Sequence, residues 1–132
     1  MVSTTKEFKI SLQDAPGTLA DLAATLGNAG INIEGLSEVS TSGGAGWVYF
    51  VTNNPDSTTS TLNSAGYTYS TDEVILTALA NKPGTLASIT RAFADQGINV
   101  TSFYITTNGT GVFGTDNVNA ASSVVDQLGV GA

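Results

Sequence analysis

Apolar and polar residues alternate over Phe8-Lys9-Ile10-Ser11-Leu12, the period of a strand with one buried face, and the run 74–79 predicts a strand of the same kind. Behind each comes a Pro-Gly pair, Pro16-Gly17 and Pro83-Gly84. Apolar residues then fall at helical spacing, Leu19, Leu22, Ala23 and Leu26 in one stretch and Leu86, Ile89 and Phe93 in the other. The pattern predicts a helix opened by Pro-Gly, with proline in the first turn where its missing N–H has no partner to lose. Gly30 and Gly97 are expected to end these helices in the left-handed conformation. A second strand, over 31–40 or 98–107, leads through Ser42-Gly43-Gly44 or Asn108-Gly109 to a third strand over 47–52 or 111–115, a strong hairpin signal. Asn54-Pro55-Asp56 and Asp116-Asn117 read as helix starts, for helices at about 55–65 and 118–128. The first of these is dense in Ser and Thr, so only Leu62 and Ala65 anchor it clearly. Tyr67-Thr68-Tyr69 alternates as a fourth strand.

The elements come in two series because the sequence repeats. Pro16-Gly17-Thr18-Leu19-Ala20 returns 67 residues later as Pro83-Gly84-Thr85-Leu86-Ala87, and Gly30-Ile31-Asn32-Ile33 returns at the same offset as Gly97-Ile98-Asn99-Val100. Phe50-Val51-Thr52 lines up with Phe113-Gly114-Thr115 and Gly66 with Gly129, now at an offset of 63. The second copy has lost about four residues near the hairpin turn, where a deletion is tolerated. Each copy spells β-α-β-β-α-β, the ferredoxin-like order in which both helices cover one face of an antiparallel sheet. The predicted fold is therefore α+β, with one module over 1–72 and another over 73–132. After Gly129 only Val130-Gly131-Ala132 remain, so the last strand of the second module is expected to be short or absent. That leaves a sheet edge needing cover.

Composition narrows the chemistry. The 132 residues carry 4 Lys+Arg against 11 Asp+Glu, a formal net charge of −7. The four cations, Lys6, Lys9, Lys82 and Arg91, are scattered, so nucleic acid and anionic membrane surfaces are not expected partners. The chain has neither Cys nor His, which excludes thiolate catalysis, zinc sites of the usual kind and Ser-His-Asp triads. No apolar stretch near the N-terminus reads as a signal peptide, and the longest apolar run, Trp47 to Val51, is far too short to span a bilayer. A cytoplasmic location fits these features. Charged residues make up only 11% where about 25% is typical, and Ser, Thr, Asn and Gly take their place.

Without His or Cys, acid–base work would fall to carboxylates, Lys or Tyr. The acids Asp14, Asp21, Glu34, Glu38, Asp56, Asp72, Glu73, Asp95, Asp116 and Asp126 are mostly isolated, Glu7 lies near the terminus, and no acidic pair occurs in both copies. Lys82-Pro83-Gly84 lacks the glycine spacing of a phosphate-cradling loop. No catalytic residue, cofactor or metal site is expected. The repeated loops Asp14-Ala15-Pro16-Gly17 and Asn81-Lys82-Pro83-Gly84 are different, because each places glycine where the N–H groups of a helix start are open to a small carboxylate. Asp14 and Asn81 stand where they can accept from an ammonium group. Asn32 and Asn99 open the second strands, expected beside these loops, and an amide can serve both ends of an α-amino acid. The same residues equally suit ordinary caps and turns, and that alternative stays open on the residues alone.

The pattern Asp/Asn-x-Pro-Gly-x-Leu, then about a dozen residues, then Gly-Ile-Asn-Ile/Val, resembles the ACT domain, a small-molecule regulatory module, in two tandem copies spanning nearly the whole chain. The resemblance implies a non-catalytic, allosteric regulatory protein that holds an amino acid at the interface between paired modules. Its ligand-facing positions are Asp14, Gly17 and Asn32 in one copy and Asn81, Gly84 and Asn99 in the other. It further implies a partner enzyme, since this chain is expected to have no room for a catalytic domain. A homodimer, biased by ligand occupancy, is expected because an unfinished sheet exposes an edge and apolar helix faces want cover. Two departures stand out. The first copy has Asp14 where the second has Asn81, so the sites need not be equivalent, and Leu12 and Leu79 offer no polar ligand contact. The competing reading is a ligand-free interaction module that dimerises through its sheets.

Overall fold

The computed structural model describes residues 2–13, 15–40 and 45–128. The order is β1 (Val2–Gln13), α1 (Thr18–Asn28), β2 (Ile33–Ser40), β3 (Ala45–Thr52), α2 (Pro55–Ser64), β4 (Ser70–Ala78), α3 (Thr85–Asp95), β5 (Val100–Ile105), β6 (Thr110–Thr115) and α4 (Val118–Leu128). The chain is thus α+β and twofold in plan. Its compact units are Lys6–Asp72 and, together, Met1–Thr5 with Glu73–Ala132.

In the unit Lys6–Asp72, β3 pairs antiparallel with β1 (Phe8 opposite Phe50, Leu12 opposite Gly46) and with β2 (Leu36 opposite Phe50, Ser40 opposite Gly46). Phe8, Ile10 and Leu12, at alternate positions on one sheet face, form a core with Val48 and Phe50, with Leu22 and Leu26 of α1, and with Leu62 of α2. Both helices therefore cover the same face. The other unit repeats this with β6 between β4 and β5, and with Ile75 and Phe113 against Ile89 and Phe93 of α3 and Ala121 and Val125 of α4. Even the irregularity recurs, as a register shift between Ile33 and Gly35 in one module and between Val100 and Ser102 in the other.

The two cores reach the same fit with different residues. Where the first places Phe8 on the strand and Leu26 on the helix, the second places Ile75 and Phe93. Bulk moves across the interface while the volume is roughly kept, the kind of exchange a core tolerates best. In the first module Phe8 stacks on Phe50 at 5.6 Å, and in the second Phe93 meets Phe113 edge-on at 5.5 Å. Two polar exchanges fit less well. Ile10 is replaced by Thr77, whose buried hydroxyl has no partner among the described residues. In the first module the Thr52 and Thr58 hydroxyls bond each other at 2.8 Å, whereas Thr115 faces the module in which Ala121 takes the place of Thr58, and its hydroxyl is also unpartnered.

Helix ends follow the sequence closely. Gly30, Gly66 and Gly97 have φ of 76°, 80° and 70°. The next residue in each case donates back five positions, Ile31 to Leu26 at 3.0 Å, Tyr67 to Leu62 at 3.0 Å and Ile98 to Phe93 at 2.9 Å, which completes a Schellman motif. Pro55 opens α2 in its first turn, but Pro16 and Pro83 do not open α1 and α3. Those helices start at Thr18 and Thr85 with Gly17 and Gly84 as N-caps, so each proline lies one residue outside, in the turn that leaves the strand.

The strands differ from the expectation in extent. Tyr67-Thr68-Tyr69 precedes β4 rather than forming a strand, and its tyrosines pack on the first core. Residues 70–72 of β4 belong to that unit before the strand continues as the first strand of the next. The expected shortage of a last strand after α4, and the turn at Ser42-Gly43-Gly44, lie outside the described residues. The expected modules 1–72 and 73–132 differ from the compact units at the N-terminus, because the opening of β1 groups with the C-terminal module and Val2 packs against its core.

Thr77→Val removes an unpaired buried hydroxyl at constant shape and is expected to stabilise the protein by about 1 kcal/mol. A rise in the urea midpoint at unchanged slope would show it; a fall would mean that the hydroxyl has a partner. Deleting residues 2–5 is expected to speed amide hydrogen exchange in β4 and β6 while β2 and β3 stay protected. Uniform protection would show that the opening of β1 does not complete the C-terminal module.

Candidate ligand-binding site

The two glycine loops are built alike. Gly17 and Gly84, at φ 92° and 91°, cap α1 and α3 from the left-handed region and offer no side-chain cap. The first intrahelical bonds run from Asp21 to Gly17 at 2.9 Å and from Ser88 to Gly84 at 3.0 Å. Threonine tightens each turn, as the Thr18 hydroxyl donates to the carbonyl of Gln13 at 2.8 Å and the Thr85 hydroxyl to that of Lys82 at 3.3 Å. Among the described residues, Asn81 makes no hydrogen bond to α3, so it is not the cap that the competing reading allows. The Thr85 N–H donates to the Lys82 carbonyl at 3.5 Å, and among the described residues the N–H groups of Leu86 and Ala87, which a helix start leaves unpaired, have no acceptor, beside an exposed Gly84 and an exposed Asn81. Asp14 lies outside the described residues.

Asn32 and Asn99 directly precede β2 and β5 and are exposed. Each is fastened by two reciprocal bonds to the residue after the third strand. The Asn32 N–H donates to Asn53 Oδ1 at 3.0 Å, and the Asn53 N–H returns to the Asn32 carbonyl at 3.2 Å. The Asn99 N–H donates to Asp116 Oδ1 at 3.0 Å, and the Asp116 N–H returns to the Asn99 carbonyl at 3.1 Å. These clamps leave both asparagine side chains free of backbone duty. Asn53 and Asp116 were not singled out from the sequence as site residues, although the offset of 63 that relates Phe50 to Phe113 also relates them.

The expected adjacency of loop and asparagine within one copy does not hold. Because β2 and β1 both run antiparallel to β3, they are parallel to each other. Gln13, which leads into the glycine loop, is level with Ala45 at one end of β3, while Ile33 is level with Thr52 at the other. Seven residues of strand separate those levels, about 23 Å at 3.3 Å per residue. The physical reason lies in α1, whose 11 residues return the chain along the length of the sheet before β2 begins. In the second module the Asn99–Asp116 clamp and the Gly84 loop are likewise at opposite ends of β6. Within a unit, Gly17 is thus apart from Asn32 and Gly84 apart from Asn99.

Two surface depressions of the described residues lie away from both loops and both asparagines. One of about 390 Å³ lies between α1 and α2, lined by Thr25, Ser60, Thr61, Ser64 and Ala65. Another lies on the outer side of α3 along Ala87, Ser88, Thr90, Arg91 and Ala94. Neither contains a candidate residue. Among the described residues no group of three or more acidic side chains is placed to hold a metal ion, and no helix is long and apolar enough to cross a membrane.

The family model of the ACT domain matches residues 7–60 and again 74–124. Solved structures share the fold across nearly the whole chain. Protein BT0572 of Bacteroides thetaiotaomicron superposes with a TM-score of 0.87 at 20% identity, over 98% of this chain and 92% of that one. The ligand-free regulatory subunit of aspartate kinase from Thermus thermophilus gives 0.66 at 17% identity, over 96% and 95%. Aspartokinase III of E. coli, in complex with lysine and aspartate, gives 0.53 at 16% identity, over 96% of this chain and 31% of that one. No curated protein sequence matches the chain.

The left-handed glycine of each loop has open space around it, with no atom within 4 Å of the place a Cβ would take at Gly84. The penalty of substitution there is conformational alone. Gly84→Ala is expected to lower stability by about 1 kcal/mol. Gly27→Ala, equally unobstructed but without a positive φ, is expected to raise it by about 0.5–1 kcal/mol. Chemical denaturation of both variants checks the pair, and equal effects would contradict a strained loop.

Proposed function

Taking as premise that the chain belongs to the ACT domain family, we propose that it is a regulatory protein that binds a small amino acid and catalyses no reaction itself. The observation that carries this reading is the α3 entry. A helix start without a side-chain cap, held open by a left-handed glycine, presents N–H donors to a carboxylate, and the same construction opens α1. Asp14 or Asn81 on the loop, and Asn32 or Asn99 at the far end of a sheet, supply the groups that complement an ammonium. Since the two sets lie about 20 Å apart within a module, a ligand small enough to be an amino acid cannot touch both in one module. The site of this proposal therefore takes its loop from a module of one copy of the chain and its asparagine from a module of a second copy.

Such a site makes assembly and ligand binding interdependent, because occupancy favours whichever arrangement completes it. A homodimer and a partner enzyme that senses the arrangement are part of the proposal, as is a cytoplasmic setting, where metabolic amino acids and the enzymes they regulate occur together. The fold likeness to the regulatory subunit of an aspartate kinase, and to an aspartokinase solved with lysine and aspartate, supports the ligand class.

A thermal-shift screen against the twenty protein amino acids at millimolar concentration tests the reading. A ligand at a hundredfold its dissociation constant adds about 2.7 kcal/mol, several degrees for a protein of this size. The expected result is a selective rise for one or two amino acids, lost in Asn99→Ala and in Gly84→Val. No rise with any of the twenty would favour the ligand-free interaction module.

A further inference from the structure

The two asparagine clamps are alike in geometry and opposite in charge. Asn53 and Asp116 each accept one backbone N–H through Oδ1, at 3.0 Å in both cases, and each returns its own N–H to the carbonyl of the same asparagine. An amide therefore serves the backbone as well as a carboxylate does, and the negative charge of Asp116 is not needed to hold β5 in place. The remainder of each side chain is exposed. What it presents beside Asn32 is the NH₂ of an amide, two donors that suit a carbonyl, hydroxyl or carboxylate. What it presents beside Asn99 is the second oxygen of a carboxylate, an acceptor with charge. No Lys or Arg pairs with Asp116 among the described residues, so its charge is available.

We propose that Asp116 selects the ammonium group of the ligand at the Asn99 end, so that this end takes an α-amino acid in preference to the corresponding 2-hydroxy acid. The assignment rests on the amino-acid-binding reading above and adds a residue and a discrimination to it. The Asn32 end, with Asn53 in the equivalent place, lacks the charge and does not discriminate in this way. Asp116 is thus a specificity residue, fixed in position by the backbone of the residue whose side chain it assists.

The test is Asp116→Asn, which copies the clamp of the other module and leaves the fold intact. Binding is measured by calorimetry on the full chain for the twenty protein amino acids and, for each binder, its 2-hydroxy counterpart, such as L-lactate for L-alanine or L-malate for L-aspartate. The wild-type chain is expected to prefer the amino acid. Asp116→Asn is expected to weaken the amino acid about fivefold to tenfold, the difference between a charge-assisted and a neutral hydrogen bond, and to leave the hydroxy acid and the unliganded melting temperature unchanged. An undiminished preference in Asp116→Asn overturns the assignment while the binding function stands. Failure of the wild-type chain to bind any of the amino acids overturns both. A purely structural role would lower the melting temperature and weaken both ligands alike, which also overturns the assignment.

Discussion

Each module is organised around one phenylalanine on its middle strand, Phe50 or Phe113, against which the first helix must bury its apolar stripe. The contact is kept while its partners change, since Phe8 stacks on Phe50 from the neighbouring strand and Phe93 meets Phe113 from the helix. Burying a ring of this size is worth roughly 1.5–3 kcal/mol relative to leaving it exposed, so the helix is committed to lie along the sheet at that point. Its length and direction follow. So do the left-handed glycine that releases it and the parallel course of the strand that comes next.

That geometry governs what the surface can do. A helix that retraces the sheet delivers the chain to the opposite end from which it left, so the glycine loop and the asparagine clamp of one module are kept apart by the core itself. In the function proposed, each end is half of a recognition surface, one rich in backbone donors and the other in amide or carboxylate groups, and a ligand of amino-acid size joins them only where a module of a second copy stands against the first. Dependence on pairing would then couple ligand binding to assembly.

The architecture was legible in the sequence because the repeat made every local signal appear twice. Alternation at Phe8 to Leu12, helical spacing from Leu19 to Leu26, and Gly30 and Gly97 as terminators each correspond to a physical requirement met within a few residues. The helices beginning at Pro55 and Val118 were legible for the same reason. What could not be read depends on contacts distant in the chain. Gly17 rather than Pro16 became the helix cap because the turn leaving β1 needs a positive φ that only the folded geometry imposes. The opening of β1 joined the C-terminal module because Val2 finds apolar cover there, which no local pattern specifies. The separation of Gly17 from Asn32 follows from strand direction, and spacing along the chain is silent on it. Asp116 read as part of a helix start and Asn53 as the residue before one, and their hold on Asn32 and Asn99 crosses from the third strand to the second.

The central claim is that one ligand joins the glycine loop of one module to the asparagine clamp of another. Amide chemical shifts of the full chain, followed by NMR during titration with the amino acid that stabilises it most, test this directly. The account predicts that a glycine-loop signal, Gly17 or Gly84, and a clamp signal, Asn32 or Asn99, move together along curves with a single dissociation constant. Movement confined to one end, or two ends titrating with unrelated constants, would contradict it.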